Sequence, residues 1–312
     1  MLTKSTIKKF QEIVGKSNCF TNVEDTFCYS YDAFAGEAVT PDVVVRPTNY
    51  EQIKDIILLC NNENIPITSR GAGTNLSGGT VPVKKGCILL TTALNKILEI
   101  NIEDMYAVVQ AGVVTQNLAN EAFKNGLFYP PDPGSMNIST IGGNVAENAG
   151  GLRGLKYGVT KDYLMGVKFF DTDGNFVKGG GKTVKLVTGF NLPGLMVASE
   201  GLLGVMTEFI LKLVPQPKFS KSMLVIYDDV IKACETVSKI IASKILPATL
   251  ELLDNFTIKS VEDATKIGLP TNANALLLIE LDGHKDEVLE DFEVVKGVCE
   301  KMCGNIKVAD TQ

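Results

Sequence analysis

Three stretches of this 312-residue chain carry residue types that could do chemistry together. The first is Thr68–Gly79, TSRGAGTNLSGG. Its four glycines permit φ > 0 and close backbone approach, so successive N–H groups can turn toward one anion. Arg70, Thr74, Asn75 and Ser77 add side-chain donors. Such a bend suits a pyrophosphate, although a flexible surface turn would carry the same composition. The second stretch is Pro130–Gly151, PPDPGSMNISTIGGNVAENAGG, with Lys156, Tyr157 and Gly158 after it. Its prolines fix the chain, while Gly142, Gly143, Gly150 and Gly151 let it pass close to something flat or charged. The third is Ala198–Thr207, ASEGLLGVMT, which enters a strand.

Two more familiar motifs fail. Gly181-Lys182-Thr183 resembles the end of GxxxxGK[ST], but the first glycine of that pattern would be Phe176, so the phosphate-cradling donors are missing. Gly71 and Gly73 begin a GxGxxG, yet Leu76 stands where the third glycine belongs. The seven cysteines form no CxxC, and Cys299 and Cys303 have only His284 to help complete a metal set. A structural zinc or iron–sulfur cluster is therefore not expected, and the cysteines read as reduced core residues of a cytoplasmic protein. The net charge, −6, argues against nucleic-acid binding, which normally needs a basic face. No run approaches a membrane-spanning length, and MLTKSTIKKFQEIV reads as a helix rather than a signal peptide.

The elements that must position these stretches follow from periodicity. Helix is predicted over 3–14, strand over Val43–Val45, and a helix carrying Ile53, Ile56, Ile57 and Cys60 behind a Thr48/Glu51 capping box. Strands follow at Ile65–Thr68, Ile88–Thr91 and Met105–Ala111, then a helix over Gln116–Asn125. Val167–Asp171 and Phe176-Val177 form a hairpin, and Val205–Val214 is a strand ended by Pro215 and Pro217, the best domain boundary. Beyond it come strands at Met223–Tyr227, Thr249–Leu253, Ala275–Leu281 and Ile306–Ala309. Helices at Val230–Ile241, 254–265 and Val288 to Met302 alternate with them.

With those residues in view, the chain resembles the FAD-binding module of the vanillyl-alcohol oxidase/PCMH superfamily. The nearer resemblance is to the branch that holds the flavin-binding chain of glycolate oxidase and the FAD-linked D-lactate dehydrogenases. SRGAGTNLSGG resembles the pyrophosphate loop; PPDPGSMNISTIGGNVAENAGGLRGLKYG and VTGFNLPGLMVASEGLLGVMTEFILKLVP resemble the second and third cofactor segments. Thr249–Asp254 and Leu276–Gly283 extend the likeness, so it runs from Pro41 almost to the end. The implied fold is α+β: a PCMH-type FAD-binding module of two α/β subdomains over 1–217, then a partial ferredoxin-like cap over 218–312.

The resemblance also implies roles. Arg70, Gly71, Ala72, Gly73, Thr74, Asn75 and Leu76 would wrap the FAD pyrophosphate. Ser135, Thr140 and Gly143 would meet the flavin and ribityl region. Glu147, Asn148, Ala149 and Gly150 would line the cofactor near its middle, and Val205 would offer backbone groups to the adenine or ribose end. The alternative for Thr140 and Val205 is a plain strand or core position. Thr74 occupies the place where some members attach flavin through histidine, so the FAD is expected to be non-covalent. The family's divalent-metal and substrate residues fall in a later part of its chain, so a metal is expected only on a segment missing here. His284 reads as a solvated loop residue, and Arg153 alone among the three arginines lies where it could face a substrate.

The expected function is oxidation of a 2-hydroxy acid, D-lactate or glycolate in class, with hydride passing to flavin N5. Electrons would leave to an electron-transferring flavoprotein or an iron–sulfur subunit. The chain would be the N-terminal portion of such an enzyme. The alternatives are a non-catalytic FAD-binding or electron-transfer subunit completed by a partner chain, and a flavin-free scaffold.

Overall fold

The computed structural model describes residues 2–302 and 304–308. Cys303 and Ala309, both used in the sequence reading, lie outside the described residues. The chain divides into two units: Met1–Ala149 with Val159–Pro215, and Gly150–Gly158 with Gln216–Gln312. The architecture is α+β, as expected.

The first unit begins with helix α1 (Lys4–Val14), whose N-cap Thr3 accepts from the Thr6 N–H. Strands β1 (Cys19–Phe20) and β2 (Val43–Val45) follow. Helix α2 (Tyr50–Glu63) places Ile53, Ile56, Ile57 and Cys60 inward, as its spacing predicts. Its cap differs from the expectation by one residue. Asn49 accepts from the Gln52 N–H, and the Gln52 side chain accepts in return from Thr48 N–H. Strand β3 (Ile67–Arg70) starts and ends two residues later than predicted. Pro66 has no N–H to pair, and the Ile65 N–H is spent closing α2 on Cys60 O, so extended pairing begins after both. The shift makes Arg70 the last strand residue.

Strand β4 (Cys87–Leu90) lies between β2 and β3, parallel to both, in the sheet order β1-β2-β4-β3. Phe10, Val14, Val43, Val45, Ile53, Ile56 and Leu89 fill the core between this sheet and its helices. Cys19, Cys60 and Cys87 lie in that core, whereas Cys28 and Cys234 are exposed, against the expectation of core thiols throughout.

A second, antiparallel sheet is built from β5 (Ile97–Asn101), β6 (Tyr106–Gln110), β7 (Leu164–Phe170), β8 (Phe176–Gly180) and β9 (Val205–Lys212). Its order is β5-β6-β9-β7-β8. The predicted hairpin pairs Phe170 with Phe176, turning on Asp171, whose carboxylate accepts from the N–H groups of Asp173 and Asn175. Helix α3 (Thr115–Lys124) and the short helix α4 (Ile141–Glu147) belong to the same unit. Lys182, from the failed phosphate motif, bonds Glu99 instead.

In the second unit, β10 (Phe219–Tyr227), α5 (Val230–Ala242), β11 (Thr249–Asp254), α6 (Asn255–Thr265), β12 (Ala275–Gly283), α7 (Lys285–Lys301) and β13 (Asn305–Val308) follow in turn. All neighbouring strands are antiparallel in the order β11-β12-β10-β13. That is the ferredoxin-like order, with α6 added between β11 and β12. Helices α5 and α7 cover one face through Ala233, Ile240, Val288, Phe292 and Val295; Ile258 of α6 packs on Leu276 from the other. The segment Gly150–Gly158 belongs to this unit. Lys156 Nζ donates to Asp282 O at 2.5 Å and Oδ1 at 2.6 Å, and Tyr157 OH donates to Oδ2 at 2.7 Å.

Candidate functional site

Strand β3 delivers Arg70 to the start of the glycine-rich bend. Arg70 is 6% exposed; its guanidinium lies 5.7 Å from the Tyr29 ring centre and donates to Thr80 Oγ1 at 3.3 Å. Burial pulls its pKa below the ordinary value, against the opposing charge of Asp32. Asp32 is itself buried. Its Oδ2 accepts from Asn75 Nδ2 at 2.7 Å and from the Thr80 hydroxyl at 3.2 Å. The side chains below the bend are thus tied to one another, and they fix its shape.

The backbone of the bend is left otherwise. Among the described residues, the N–H groups of Ala72, Gly73, Thr74, Asn75 and Leu76 have no acceptor in the protein. Gly73 has φ +71°, and a Cβ there would collide with the Arg70 guanidinium; a Cβ on Gly71 would collide with Thr140 Oγ1. Both glycines are therefore dictated by close approach rather than by loop flexibility.

Helix α4 forms the facing wall. Its N-cap Thr140 accepts from the Gly143 N–H at 3.2 Å. A Cβ on Gly142 would stand 2.9 Å from Ala111, so only glycine lets the helix lie this close to the strand exit. Buried Asn144 donates to Thr115 Oγ1 at 2.7 Å, locking the helix inside the unit. At its other end Glu147 accepts from Ser77 Oγ, at 3.1 and 3.0 Å to its two oxygens. Burial raises the Glu147 pKa most, with Glu200 and Asp32 adding to the rise and the Ser77 bond opposing it. Asn148 adopts φ +52° and ends the helix.

The third wall is the turn into β9. Glu200, Gly201 and Gly204 all have positive φ, and the Glu200 N–H donates to Ala146 O at 2.9 Å. The three walls enclose an open cleft of about 820 Å³, its solvent-open mouth included.

Of the residues singled out from sequence, the structure brings together Arg70, Gly71, Ala72, Gly73, Thr74, Asn75, Ser135, Thr140, Gly143, Glu147 and Ala149 around this cleft. Four others lie apart from its lining. Leu76 is 75% exposed; Asn148 turns its side-chain oxygen to the Lys161 N–H; Gly150 falls in the second unit; Val205 is a core residue paired with Phe170. Gly204 and Met206, on either side of Val205, line the cleft instead. Arg153 and His284 both fall in the second unit, His284 exposed just before α7.

Sequence reasoning missed Asp32, Thr80, Thr91 and Asn144. Thr80 directly follows the glycine stretch and could have been included. Asp32 sits in a segment with no periodicity, and nothing local marks it as the anchor of a bend so far along the chain.

Comparisons with known proteins bear on this cleft. A family model described as "FAD binding domain" matches residues 41–180, and one described as "FAD linked oxidases, C-terminal domain" matches residues 216–312. Glycolate oxidase subunit GlcD of Bacillus subtilis is 47% identical over 301 residues, which are 96% of this chain and 64% of that protein. D-lactate dehydrogenase of Anaerostipes hadrus is 35% identical over 325 residues, covering 99% of this chain and 67% of that one. The chain thus spans roughly two thirds of the length of these relatives. Among solved structures, an alkyldihydroxyacetonephosphate synthase superposes with TM-score 0.83 at 18% identity, over 100% of this chain and 62% of that one. A p-cresol methylhydroxylase with substrate bound gives 0.81 at 21%, over 100% and 68%. At these identities the structures establish a shared fold of the PCMH type. No helix among the described residues is long and apolar enough to cross a membrane.

Proposed function

This chain belongs to the FAD-linked oxidase family, and on that premise we propose that it binds FAD in the glycine-walled cleft for the oxidation of a 2-hydroxy acid, D-lactate or glycolate in class. The observation that carries the reading is the run of unpaired N–H groups from Ala72 to Leu76, on a bend whose glycines leave no room for Cβ. Five adjacent donors above a buried guanidinium suit a diphosphate far better than a neutral ligand. The group fits the cleft on a second count: Gly71, Gly142, Gly143, Gly201 and Gly204 strip side chains from its walls, as a flat ring system passing close to the backbone requires.

In this reading Gly71 to Asn75 bind the diphosphate, with Arg70 supplying positive charge from below and Asp32 holding the bend in register. Ser135, Thr140 and Gly143 face the flavin and ribityl portion, and Glu147 and Ala149 line the middle of the cofactor. Leu76, Asn148 and Val205 contribute through their main chain or through their neighbours. The bound flavin would supply the two-electron acceptor, taking the α-hydrogen of the hydroxy acid as hydride at N5. The protein's part is to orient and to exclude water. The attachment is taken as non-covalent, because Thr74 stands where the family's attaching histidine would be.

No group of three or more His, Cys, Asp and Glu among the described residues could hold a metal ion. The divalent metal implied by the family is proposed for the portion of the relatives that this chain does not match. Electrons leave to a partner, an electron-transferring flavoprotein or an iron–sulfur subunit. The name of the first relative as a subunit favours a second reading, in which this chain only binds FAD and a partner chain completes the catalytic half.

Reconstitution tests both. The purified chain should retain FAD after gel filtration and be yellow. On anaerobic addition of D-lactate or glycolate, the loaded chain should keep its colour when alone; bleaching would place the proton-abstracting groups within these 312 residues. A colourless protein after reconstitution would leave a flavin-free scaffold as the answer.

A further inference from the structure

One half-buried acid of the cleft lining stands across from the diphosphate bend. Glu147 closes helix α4 on one wall; Ser77 belongs to the bend on the other. The Ser77 hydroxyl donates to Glu147, while accepting from Asn75 Nδ2 at 3.1 Å and from the Gly79 N–H at 3.3 Å. Ser77 is therefore the knot of the bend, and Glu147 holds that knot from outside. The same carboxylate is badly placed for an anion. Gly79 lies between it and Glu200: a Cβ on Gly79 would stand 3.2 Å from Glu147 Oε1 and 3.1 Å from Glu200 Oε2. The buried carboxylate of Asp32 also acts on it, and Arg70, the guanidinium beneath the bend, has Asp32 as its own counter-charge.

We propose that Glu147 is a positioning residue for the cofactor's diphosphate that works in its neutral form, so that FAD binding takes up a proton there. A protonated carboxyl still offers a carbonyl oxygen to the Ser77 hydroxyl, so the knot is kept. What is removed is a negative charge facing the diphosphate across a partly desolvated cleft. Burial, Glu200 and Asp32 already favour the neutral form before any ligand arrives. The charge of a diphosphate adds to that preference. The inference rests on the FAD reading above.

The test is FAD affinity, read by quenching of flavin fluorescence, at several values between about pH 5 and about pH 8. It is made on the wild-type chain and on the Glu147→Gln, Glu147→Ala and Ser77→Ala variants. The wild type should bind roughly tenfold more tightly at the acid end, the scale of one pKa unit of differential interaction. Glu147→Gln keeps an acceptor for Ser77 without the charge. It should match the acid-end affinity of the wild type at every pH. Glu147→Ala loses its hold on the knot and should bind more weakly than Glu147→Gln, and Ser77→Ala, which also removes the acceptor of Asn75 and Gly79, should bind more weakly still. The inference is overturned if wild-type affinity is flat with pH, or if Glu147→Gln and Glu147→Ala bind alike. Failure of the underlying reading looks different: a folded wild-type chain would then bind no FAD at any pH.

Discussion

In the second unit, β10 pairs residue for residue with β12 over nine positions, from Phe219 opposite Gly283 to Tyr227 opposite Ala275. Around the cleft of the first unit, five consecutive N–H groups have no protein acceptor among the described residues, and glycines stand where any side chain would collide. The sheet directs its backbone polarity and its side chains inward, to stability. The bend withholds both, and the side chains that shape it (Asp32, Asn75, Thr80 and Arg70) bond to one another, leaving its amides to a ligand. Lesions in the two regions should therefore separate: fold stability in one, cofactor affinity in the other.

The largest effect is expected in the sheet. Phe292 is 1% exposed, between α7 and the strands. Phe292→Ala should cost about 3–5 kcal/mol in denaturant unfolding of the second unit. Where the variant remains folded, FAD affinity should move by less than about twofold, since no residue of the cleft lining belongs to the second unit. A parallel loss of FAD would break the separation.

Gly73→Val is the converse lesion. Its two methyls would collide with the Arg70 guanidinium and crowd the amides of the bend, at φ +71°. FAD affinity should fall by more than about a hundredfold, while left-handed strain lowers stability by only about 1–2 kcal/mol. Unchanged FAD occupancy by absorbance would show that the bend does not hold the diphosphate.

A smaller effect is expected at Asp282, which ties the segment Gly150–Gly158 into the second unit through Lys156 and Tyr157. Asp282→Ala strands a partly exposed ammonium and a hydroxyl, a loss of about 2 kcal/mol. Limited trypsin digestion reads it directly. Cleavage after Arg153 or Lys156 should speed up, and an unchanged rate would show that other contacts hold the segment.

How much of this was legible beforehand differs between the two regions for a physical reason. The sheet and helices of the second unit announce themselves by period. Ala275, Leu277, Ile279 and Leu281 alternate, while Val288, Phe292, Val295 and Cys299 recur at helical spacing, and the observed elements extend the predicted ones by a few residues. The cleft was legible only where chemistry is local. Gly71 and Gly73 sit together in sequence and in space. Asp32 acts from a distant segment and reaches the bend through tertiary packing, which no window of sequence contains. Strand β5 and helix α4 were also missed. Ile97–Asn101 alternates weakly, and two glycines in the first turn of Ile141–Glu147 conceal a helix whose purpose is close approach. Val205 shows the remaining limit: the resemblance pointed to its backbone, while its side chain lies in the core and Gly204 and Met206 line the cleft.

The subtlest prediction sets a half-buried carboxylate, Glu147, against a buried one, Asp282. Asp282 has an ammonium for a partner; Glu147 has only a hydroxyl, with Glu200 and Asp32 as like charges nearby. Burial first, and those two carboxylates after it, hold the Glu147 carboxyl above the ordinary range, so the folded chain binds that proton more tightly than the unfolded one. The sign follows by linkage: a raised folded-state value contributes stability that is present at acid pH and is lost as pH rises through that value. In the ligand-free protein, unfolding followed from the ordinary carboxylate range upward should show the wild type losing a little stability relative to Glu147→Gln. Because Glu147 is only partly buried, solvent screens the effect and the difference should be small. The opposite sign, with Glu147→Gln losing ground as pH rises, would mean that the charged form is the one the fold prefers. It would place a cation at the cleft that pairs with Glu147 as Lys156 pairs with Asp282.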